Sequence, residues 1–115
     1  MSYKVDTTEN FEREVKRLIK KYGSFKNEIS GLIDQLEINP EMGTHLGNGV
    51  HKIRLAVKSK GKGKRGGMRV MTQVKIVNET VYLFSIYSKG EKDNISDELI
   101  KQYVADIDND CESEK

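Results

Sequence analysis

The chain has 115 residues, of which 36% are hydrophobic and 33% are charged, and its formal net charge is +2. This length and balance predict one globular domain and exclude a disordered chain. No apolar run approaches the roughly 18 residues that a membrane span needs. The first residues lack an apolar signal region, and a single cysteine, Cys111, builds no internal disulfide. These features indicate a protein of the reducing cytoplasm.

The first forty residues are predicted to form a strand and two helices. Residues 3–6 read as a short strand. Apolar residues then recur at the spacing of one helix face, namely Phe11, Val15, Leu18, Ile19 and Tyr22. Residues 25–36 repeat this spacing, with Ser24 as a candidate N-cap and Asn39-Pro40 as the stop. The tight connection at Gly23 predicts an antiparallel pair of helices whose apolar stripes face the core.

Two segments of alternating polarity are predicted to form neighbouring strands. In residues 50–58, one side carries Ile53, Leu55 and Val57, and the other side carries Lys52, Arg54 and Lys58. In residues 68–77, one side carries Met68, Val70, Val74 and Ile76, and the other carries Arg69, Met71, Gln73 and Lys75. Each strand therefore has an apolar face and a face rich in cations.

A third strand and a last helix complete the predicted domain. Residues 80–87 follow a turn, and simple alternation assigns Tyr82, Phe84 and Ile86 to the helices and Leu83, Ser85 and Tyr87 to the side of Arg54 and Arg69. Ser96 is a candidate cap for a helix that carries Leu99, Ile100, Tyr103, Val104 and Ile107.

The order β-α-α-β-β-β-α predicts an α+β fold. We expect an antiparallel sheet with the helices packed on one face and an open basic face on the other. Residues 1–107 would form the single domain, and residues 108–115 would form a disordered acidic tail.

The middle of the chain is basic without compensating acids. No Asp or Glu lies between Glu41 and Glu79, an interval that carries Lys52, Arg54, Lys58, Lys60, Lys62, Lys64, Arg65, Arg69 and Lys75. A solvated surface without a partner usually mixes both signs of charge, so this pattern favours contact with a polyanion.

The segment SKGKGKRGGMRV, residues 59–70, contains a G-x-G-x-x-G match at Gly61, Gly63 and Gly66. A dinucleotide loop must open a helix, whereas a strand pattern follows here, and the P-loop motif is also absent. Two interpretations stay open. The segment is either a long basic arm that follows a phosphate backbone or a hairpin tip without a ligand.

Two stretches together resemble a known family. HLGNGVHKIRLAVKSKGKGKRGGMRVMTQV has a leucine-glycine loop, a K-x-R strand and a G-K-x-G-G-x-R turn. VYLFSIYSKGEKDNISDELI has an aromatic-x-K-x-E-x-D-N-I-S run before the last helix. In this order they resemble the RelE/ParE superfamily of type II toxin–antitoxin toxins, and within it the HigB/RelE-type toxins. The resemblance implies a RelE-like fold.

The resemblance also implies an activity and a partner. It implies a cytoplasmic mRNA interferase of the kind that usually cuts mRNA on the ribosome and needs no metal or cofactor, and it implies a helix-turn-helix antitoxin that neutralises the toxin. Carried over by position, the catalytic candidates are Arg69, Arg54, Lys89 and Tyr87. The candidates for RNA binding are Lys52, Lys58, Lys60, Lys62, Lys64 and Arg65. The general base stays open between His51, Glu91 and a desolvated lysine.

Two other functions stay open on the sequence. One is inhibition of DNA gyrase, as in the ParE half of the superfamily, which shares the fold but is not a nuclease. The other is RNA binding without cleavage, which predicts salt-dependent affinity but no strand scission.

Overall fold

In the computed structural model, which describes residues 3–56, 67–88 and 95–113, helices pack on both faces of one sheet. Its elements are β1 (Lys4–Thr7), α1 (Glu9–Lys21), α2 (Phe25–Ile38), β2 (Thr44–Gly47), β3 (Val50–Leu55), β4 (Met68–Lys75), β5 (Thr80–Ser88) and α3 (Asp97–Ser113). Side chains of α3 are described up to Asp108. The α+β class is confirmed, and β2 is an additional strand that alternation did not predict.

The strand order is β1-β5-β4-β3-β2. Strands β2 to β5 form antiparallel neighbours, but β1 pairs with β5 in parallel, so the sheet is mixed rather than antiparallel. Parallel neighbours need a long crossover connection. Between β1 and β5 this connection contains α1, α2 and the other three strands. Local sequence patterns do not report such a pairing, because its two strands are far apart along the chain.

Helices α1 and α2 form as their apolar spacing predicts. The Thr8 hydroxyl accepts a hydrogen bond from the Phe11 amide at 3.2 Å and so caps α1. Ser24 occupies the N-cap position of α2 but forms no cap bond, and its hydroxyl instead donates to Glu28 at 3.2 Å. Helix α1 ends at Lys21, with Tyr22 as its C-cap, so Gly23 belongs to the connection.

The main core lies between α1, α2 and one face of the sheet, here called the α1–α2 face. Fully buried side chains from the helices meet fully buried side chains from β4 and β5; they are Leu18, Phe25, Leu36, Met68, Val70, Val81, Leu83 and Ile86. Ile53 of β3 joins this core, and Leu55 packs against it. These two residues confirm the predicted alternation within β3, whereas Val57 and Lys58 lie outside the described residues.

Helix α3 packs on the opposite face, here called the α3 face. Its Ile107 and the preceding Ile95 join a second buried cluster with Val50, Met71, Phe84 and Tyr87 of the sheet. The rings of Phe84 and Tyr103 lie 5.7 Å apart, and Lys75 pairs with Asp108. The expectation that all helices share one face is therefore wrong, because these sheet side chains bury their apolar surface under α3.

A β-bulge in β5 explains which side chains reach each face. Thr72 pairs with Leu83 but Met71 pairs with Ser85, so Phe84 is an extra residue in the ladder. An extra residue reverses the alternation beyond it. Leu83, predicted for the basic face, is instead buried on the α1–α2 face, whereas Phe84 lies under α3.

Two further differences concern the ends of elements. Strand β4 ends at Lys75, and Ile76, predicted as a core residue, is 71% exposed. Helix α3 continues to Ser113, so it includes residues 108–113 of the predicted tail. The Lys75–Asp108 pair holds the start of that extension.

Among the described helices, none combines the length and apolar character of a membrane span.

The β2–β3 hairpin depends on a glycine at its tip. Gly49 has a φ of +77°, a conformation that favours glycine. A Cβ atom at this position would lie 2.7 Å from the Val74 carbonyl oxygen, and the Val74 amide donates to the Gly49 carbonyl at 2.8 Å. The hairpin tip therefore rests directly on the β4 backbone.

The bulge in β5 and the end of β4 at Lys75 predict mutational effects opposite to those expected from simple alternation. Leu83→Ala removes a fully buried side chain and should lower the free energy of unfolding by about 2–5 kcal/mol. Ile76→Ala, at an exposed position, should change it by less than about 0.5 kcal/mol. Urea denaturation of both variants measures the difference. Equal, small effects would contradict the observed register.

Candidate active site

Three of the predicted site residues form one row across the sheet. Arg54 of β3 lies directly opposite Arg69 of β4, and Arg69 lies directly opposite Tyr87 of β5. Side chains directly opposite each other share a face, with Cβ atoms roughly 4.5–5.5 Å apart. We call these residues the arginine–tyrosine row. It lies on the α3 face, as the cluster that contains Tyr87 shows.

Burial increases along this row. Arg54 is exposed, Arg69 is only 5% exposed and Tyr87 is fully buried. One guanidinium nitrogen of Arg69 donates to the Met68 carbonyl at 3.4 Å. Two like charges directly opposite each other destabilise a sheet, and a bound anion would offset that cost. The row therefore has the electrostatic character of a site for a phosphate group.

The Tyr87 hydroxyl is held in its neutral form. Burial raises the pKa of Tyr87 above its ordinary value of 10.0, and the positive charge of Arg69 opposes part of that increase. At neutral pH the side chain is therefore a hydrogen-bond donor and a potential proton donor. It is not a base.

The same chain matches a family model along most of its length. The model describes the RelE toxin of the RelE/RelB toxin–antitoxin system, and the match covers residues 4–106. This chain belongs to the RelE toxin family. Every element from β1 to the larger part of α3 lies inside the match, and so does the arginine–tyrosine row.

Solved structures agree with this fold. A double arginine-to-alanine mutant of Escherichia coli toxin RelE in the free state has a TM-score of 0.62 and 17% sequence identity, over 93% of this chain and 99% of that chain. The mutant in complex with an antitoxin RelBc peptide has a TM-score of 0.53 and 18% identity, over 89% of this chain and 94% of that chain. At such identities, the likeness shows the fold alone.

Lys52 shares the face of the row in this RelE-family chain. It lies opposite Met71, one position further along the α3 face, and it is partly buried. Lys52 lines a cleft of about 530 Å³ between the β2–β3 hairpin and α3, together with Asp97 and Lys101. Lys52 and Arg54 therefore share one face of β3, and their roles in RNA binding and catalysis stay predictions.

The remaining predicted cations lie outside the described residues. They are Lys58, Lys60, Lys62, Lys64, Arg65 and Lys89, and the candidate base Glu91 lies outside as well. The next cross-strand row after the arginine–tyrosine row is formed by Leu55, Met68 and Ser88, which lie at or next to the ends of the described strands. The segments 57–66 and 89–94 therefore join the sheet at the end that carries the arginine–tyrosine row.

His51 does not lie with the arginines. It alternates with Lys52 and Arg54 along β3 and so shares a side with Ile53. It is 5% exposed, its Nδ1 atom is 3.2 Å from the Gly49 carbonyl oxygen, and its ring centroid lies 4.9 Å from that of His45. These contacts make His51 part of the hairpin, and its position does not support a role as the general base.

Asn10 and Glu14, which no sequence pattern singled out, bind the edge of β5. Asn10 Nδ2 donates to the Phe84 carbonyl at 3.0 Å and to Glu14 at 2.8 Å. Glu14 accepts from the Ser85 hydroxyl at 3.0 Å and from the Ile86 amide at 3.3 Å. The available signal was the i, i+4 spacing of Asn10 and Glu14 beside the apolar stripe of α1.

The raised pKa of Tyr87 predicts a loss of stability in alkali. Below pH 10.0 the phenol is neutral in both the folded and the unfolded chain. As pH rises through 10.0 towards the higher pKa of Tyr87 in the folded chain, the phenol ionises first in the unfolded chain. The unfolding free energy therefore falls with pH in this range, and Tyr87 contributes at most about 1.4 kcal/mol per pH unit to that fall.

Urea denaturation between pH 8 and pH 11 tests this expectation. Tyr87→Phe should flatten the decline of the unfolding free energy that the wild type shows at the alkaline end. Tyr103→Phe should remove a separate part of the same decline in unfolding free energy, because burial and then the Glu14 carboxylate raise the pKa of Tyr103. An unchanged decline in Tyr87→Phe would show that its phenol ionises equally in both states.

Proposed function

We propose that this RelE-family toxin is a metal-independent endoribonuclease that cleaves mRNA on the ribosome. The observation that carries the proposal is the arginine–tyrosine row, in which two arginines and a tyrosine occupy directly opposed positions on three adjacent strands. Membership of the RelE toxin family and the acid-free basic interval support it.

The proposed reaction is an internal transfer of the phosphate. The ribose 2′-oxygen forms a bond to the adjacent phosphorus while the bond from phosphorus to the 5′-oxygen breaks. The products are a 2′,3′-cyclic phosphate, or its hydrolysis product, and a free 5′-hydroxyl. The 2′-hydroxyl loses its proton to a base, and the leaving 5′-oxygen must receive a proton.

The row supplies two of these requirements. Arg69 and Arg54 hold the non-bridging phosphate oxygens and stabilise the negative charge that grows in the transition state, a role that suits the planar guanidinium group. Tyr87 donates a proton or a hydrogen bond to the leaving oxygen, since its raised pKa keeps the hydroxyl protonated. Lys89 would add charge, and the base would come from outside the row.

RNA must reach a partly covered site. Arg54 is exposed and can contact a phosphate at once, whereas Arg69 and Tyr87 are buried. Tyr87 shares its cluster with Ile95, which directly precedes α3. The proposal therefore requires the contacts over Arg69 and Tyr87 to open as the RNA strand settles on the sheet. Lys52 and the lysines of residues 57–66 would guide the backbone there.

An antitoxin would control this surface. The E. coli RelE mutant was solved in complex with an antitoxin RelBc peptide, and we extend that kind of partner to this chain. The partner would be a helix-turn-helix protein, and its acidic or amphipathic segments would cover the basic face.

Arg69 provides the main test. Arg69→Ala should lower the cleavage rate by about 100-fold or more, because the group that stabilises the transition-state charge is lost. Arg69→Lys keeps the charge without the fork and should recover only part of the rate. Arg17→Ala, at an exposed position on α1, is the matched control. Primer extension on a reporter mRNA in a reconstituted translation system measures the cuts.

Results other than Arg69-dependent cleavage would support an alternative function or a different site. Because Arg69 is buried, circular dichroism must first show that its variants are folded. Salt-dependent RNA binding without scission, by folded wild-type protein free of antitoxin, would support the RNA-binding alternative. Loss of DNA supercoiling in the presence of gyrase would support the ParE-like alternative. Equal cleavage by wild type and Arg69→Ala would remove Arg69 from the site.

The Tyr87→Phe variant tests whether Tyr87 contributes to the cleavage step or to RNA binding. Tyr87→Phe removes only the hydroxyl and should lower the cleavage rate by roughly 100-fold to 10,000-fold, the usual contribution of a proton donor, while RNA affinity stays unchanged. Tyr82→Phe is the control on the same strand, where the hydroxyl accepts a hydrogen bond from Asn78 instead. Rapid-quench kinetics with filter binding gives both quantities. A weaker affinity with an unchanged rate would assign Tyr87 to base stacking.

A further inference from the structure

One edge of β5 has different hydrogen-bond partners before and after Phe84. Strand β1 pairs with β5 as far as Thr7 and Leu83, and the Thr8 amide then donates to the Leu83 carbonyl at 3.1 Å. Beyond this point the chain turns into α1, and within residues 3–56, 67–88 and 95–113 no strand pairs with this part of the β5 edge. An unpaired strand edge inside a fold needs other hydrogen-bond partners.

Side chains of α1 serve as those partners. Asn10 donates to the Phe84 carbonyl at 3.0 Å, and the Thr8 hydroxyl lies at 3.5 Å from the same oxygen. One carboxylate oxygen of Glu14 accepts from three donors, namely Asn10 Nδ2 at 2.8 Å, the Ser85 hydroxyl at 3.0 Å and the Ile86 amide at 3.3 Å. Hydrogen bonds to a carboxylate are stronger than those between neutral groups.

These contacts lie on the bulge that sets the register of the site. Before the bulge, Thr72 pairs with Leu83; beyond it, Arg69 pairs with Tyr87. If the first register continued without a bulge, Ile86 would lie opposite Arg69, and Tyr87 would turn to the α1–α2 face. The extra residue at Phe84 is therefore what brings the phenol beside the guanidinium.

We propose that Glu14, supported by Asn10, is a positioning residue for the arginine–tyrosine row. Its carboxylate accepts from the Ser85 hydroxyl and the Ile86 amide, just beyond the point where β1 stops pairing with β5, and this holds the shifted register. Glu14 touches neither Arg69 nor Tyr87 in the described contacts. It acts through the backbone of residues 84–86, as bulges near active sites commonly re-aim a side chain. The catalytic consequence rests on the function proposed above, whereas the register does not.

The first experiment measures the register itself by NMR. Cross-strand contacts between Arg69 and Tyr87 should be present in the wild type and lost in Glu14→Ala, with contacts between Arg69 and Ile86 in their place or with neither set ordered. Glu14→Gln keeps an acceptor oxygen of the same shape and should restore the wild-type contacts. Glu12→Ala removes an exposed acid from the same helix, so it controls for charge.

The second experiment measures cleavage by the same variants. Glu14→Ala should lower kcat by about 10-fold to 100-fold, because a displacement of the order of 1 Å has such effects. KM should change by less than about threefold, since Arg54 and Lys52 are on other strands. Glu14→Gln and Glu12→Ala should match the wild type. Because a smaller folded fraction would also lower the apparent kcat at unchanged KM, each rate is divided by the folded fraction that circular dichroism measures for that variant.

The outcomes separate the two proposals. If Glu14→Ala keeps the Arg69–Tyr87 contacts and the wild-type kcat, the positioning role is wrong. If Glu14→Ala does not fold, Asn10→Ala takes its place and should show the same change of contacts at smaller amplitude, and unaltered contacts there would also overturn the role. If the wild type cuts no RNA, the proposed function fails, while the NMR contacts still decide whether Glu14 holds the bulge.

Discussion

The pairing of β4 with β5, with one extra residue at Phe84, is the constraint on which the rest of the structure depends. It directs Leu83 and Ile86 into the core under α1 and α2, and it directs Phe84 and Tyr87 under α3. The same strand thus serves two cores. Because side chains alternate strictly along a regular strand, only an inserted residue allows Leu83 and Ile86, three positions apart, to share one face and brings Tyr87 opposite Arg69.

The charges of the sheet have different neighbours at its two ends. Near the β4–β5 turn, Lys75 pairs with Asp108 of the acidic helix α3. At the other end, Arg54 and Arg69 lie opposite each other, next to the points where the basic segment 57–66 leaves and re-enters the sheet. Concentrating cations there costs stability. A bound anionic strand of RNA would offset that cost, and this is the physical basis of the proposed function.

Local patterns predicted the helices and strands well, since their signals are periodic. The spacing from Phe11 to Tyr22 found α1, and the alternation of Ile53 with Arg54 found the correct faces of β3. The same reasoning placed Leu83 on the wrong face and Ile76 in the core. It failed at Leu83 because the edge of β5 at the bulge has its hydrogen-bond partners on α1, more than sixty residues earlier in the chain. It failed at Ile76 because this residue begins the turn between β4 and β5, where its carbonyl accepts from the Glu79 amide at 3.2 Å.

The sequence by itself determined the α+β class, the basic interval and the identity of the cations, because composition and periodicity are local properties. It also determined that Arg54 and Arg69 share a face, since each lies on a strand of regular alternation. Only the tertiary structure decided that α3 covers the second face, that Arg69 is buried and that Glu14 binds the edge of β5. These features arise where distant segments meet, and the free energy of such contacts depends on the whole fold rather than on any one stretch of residues.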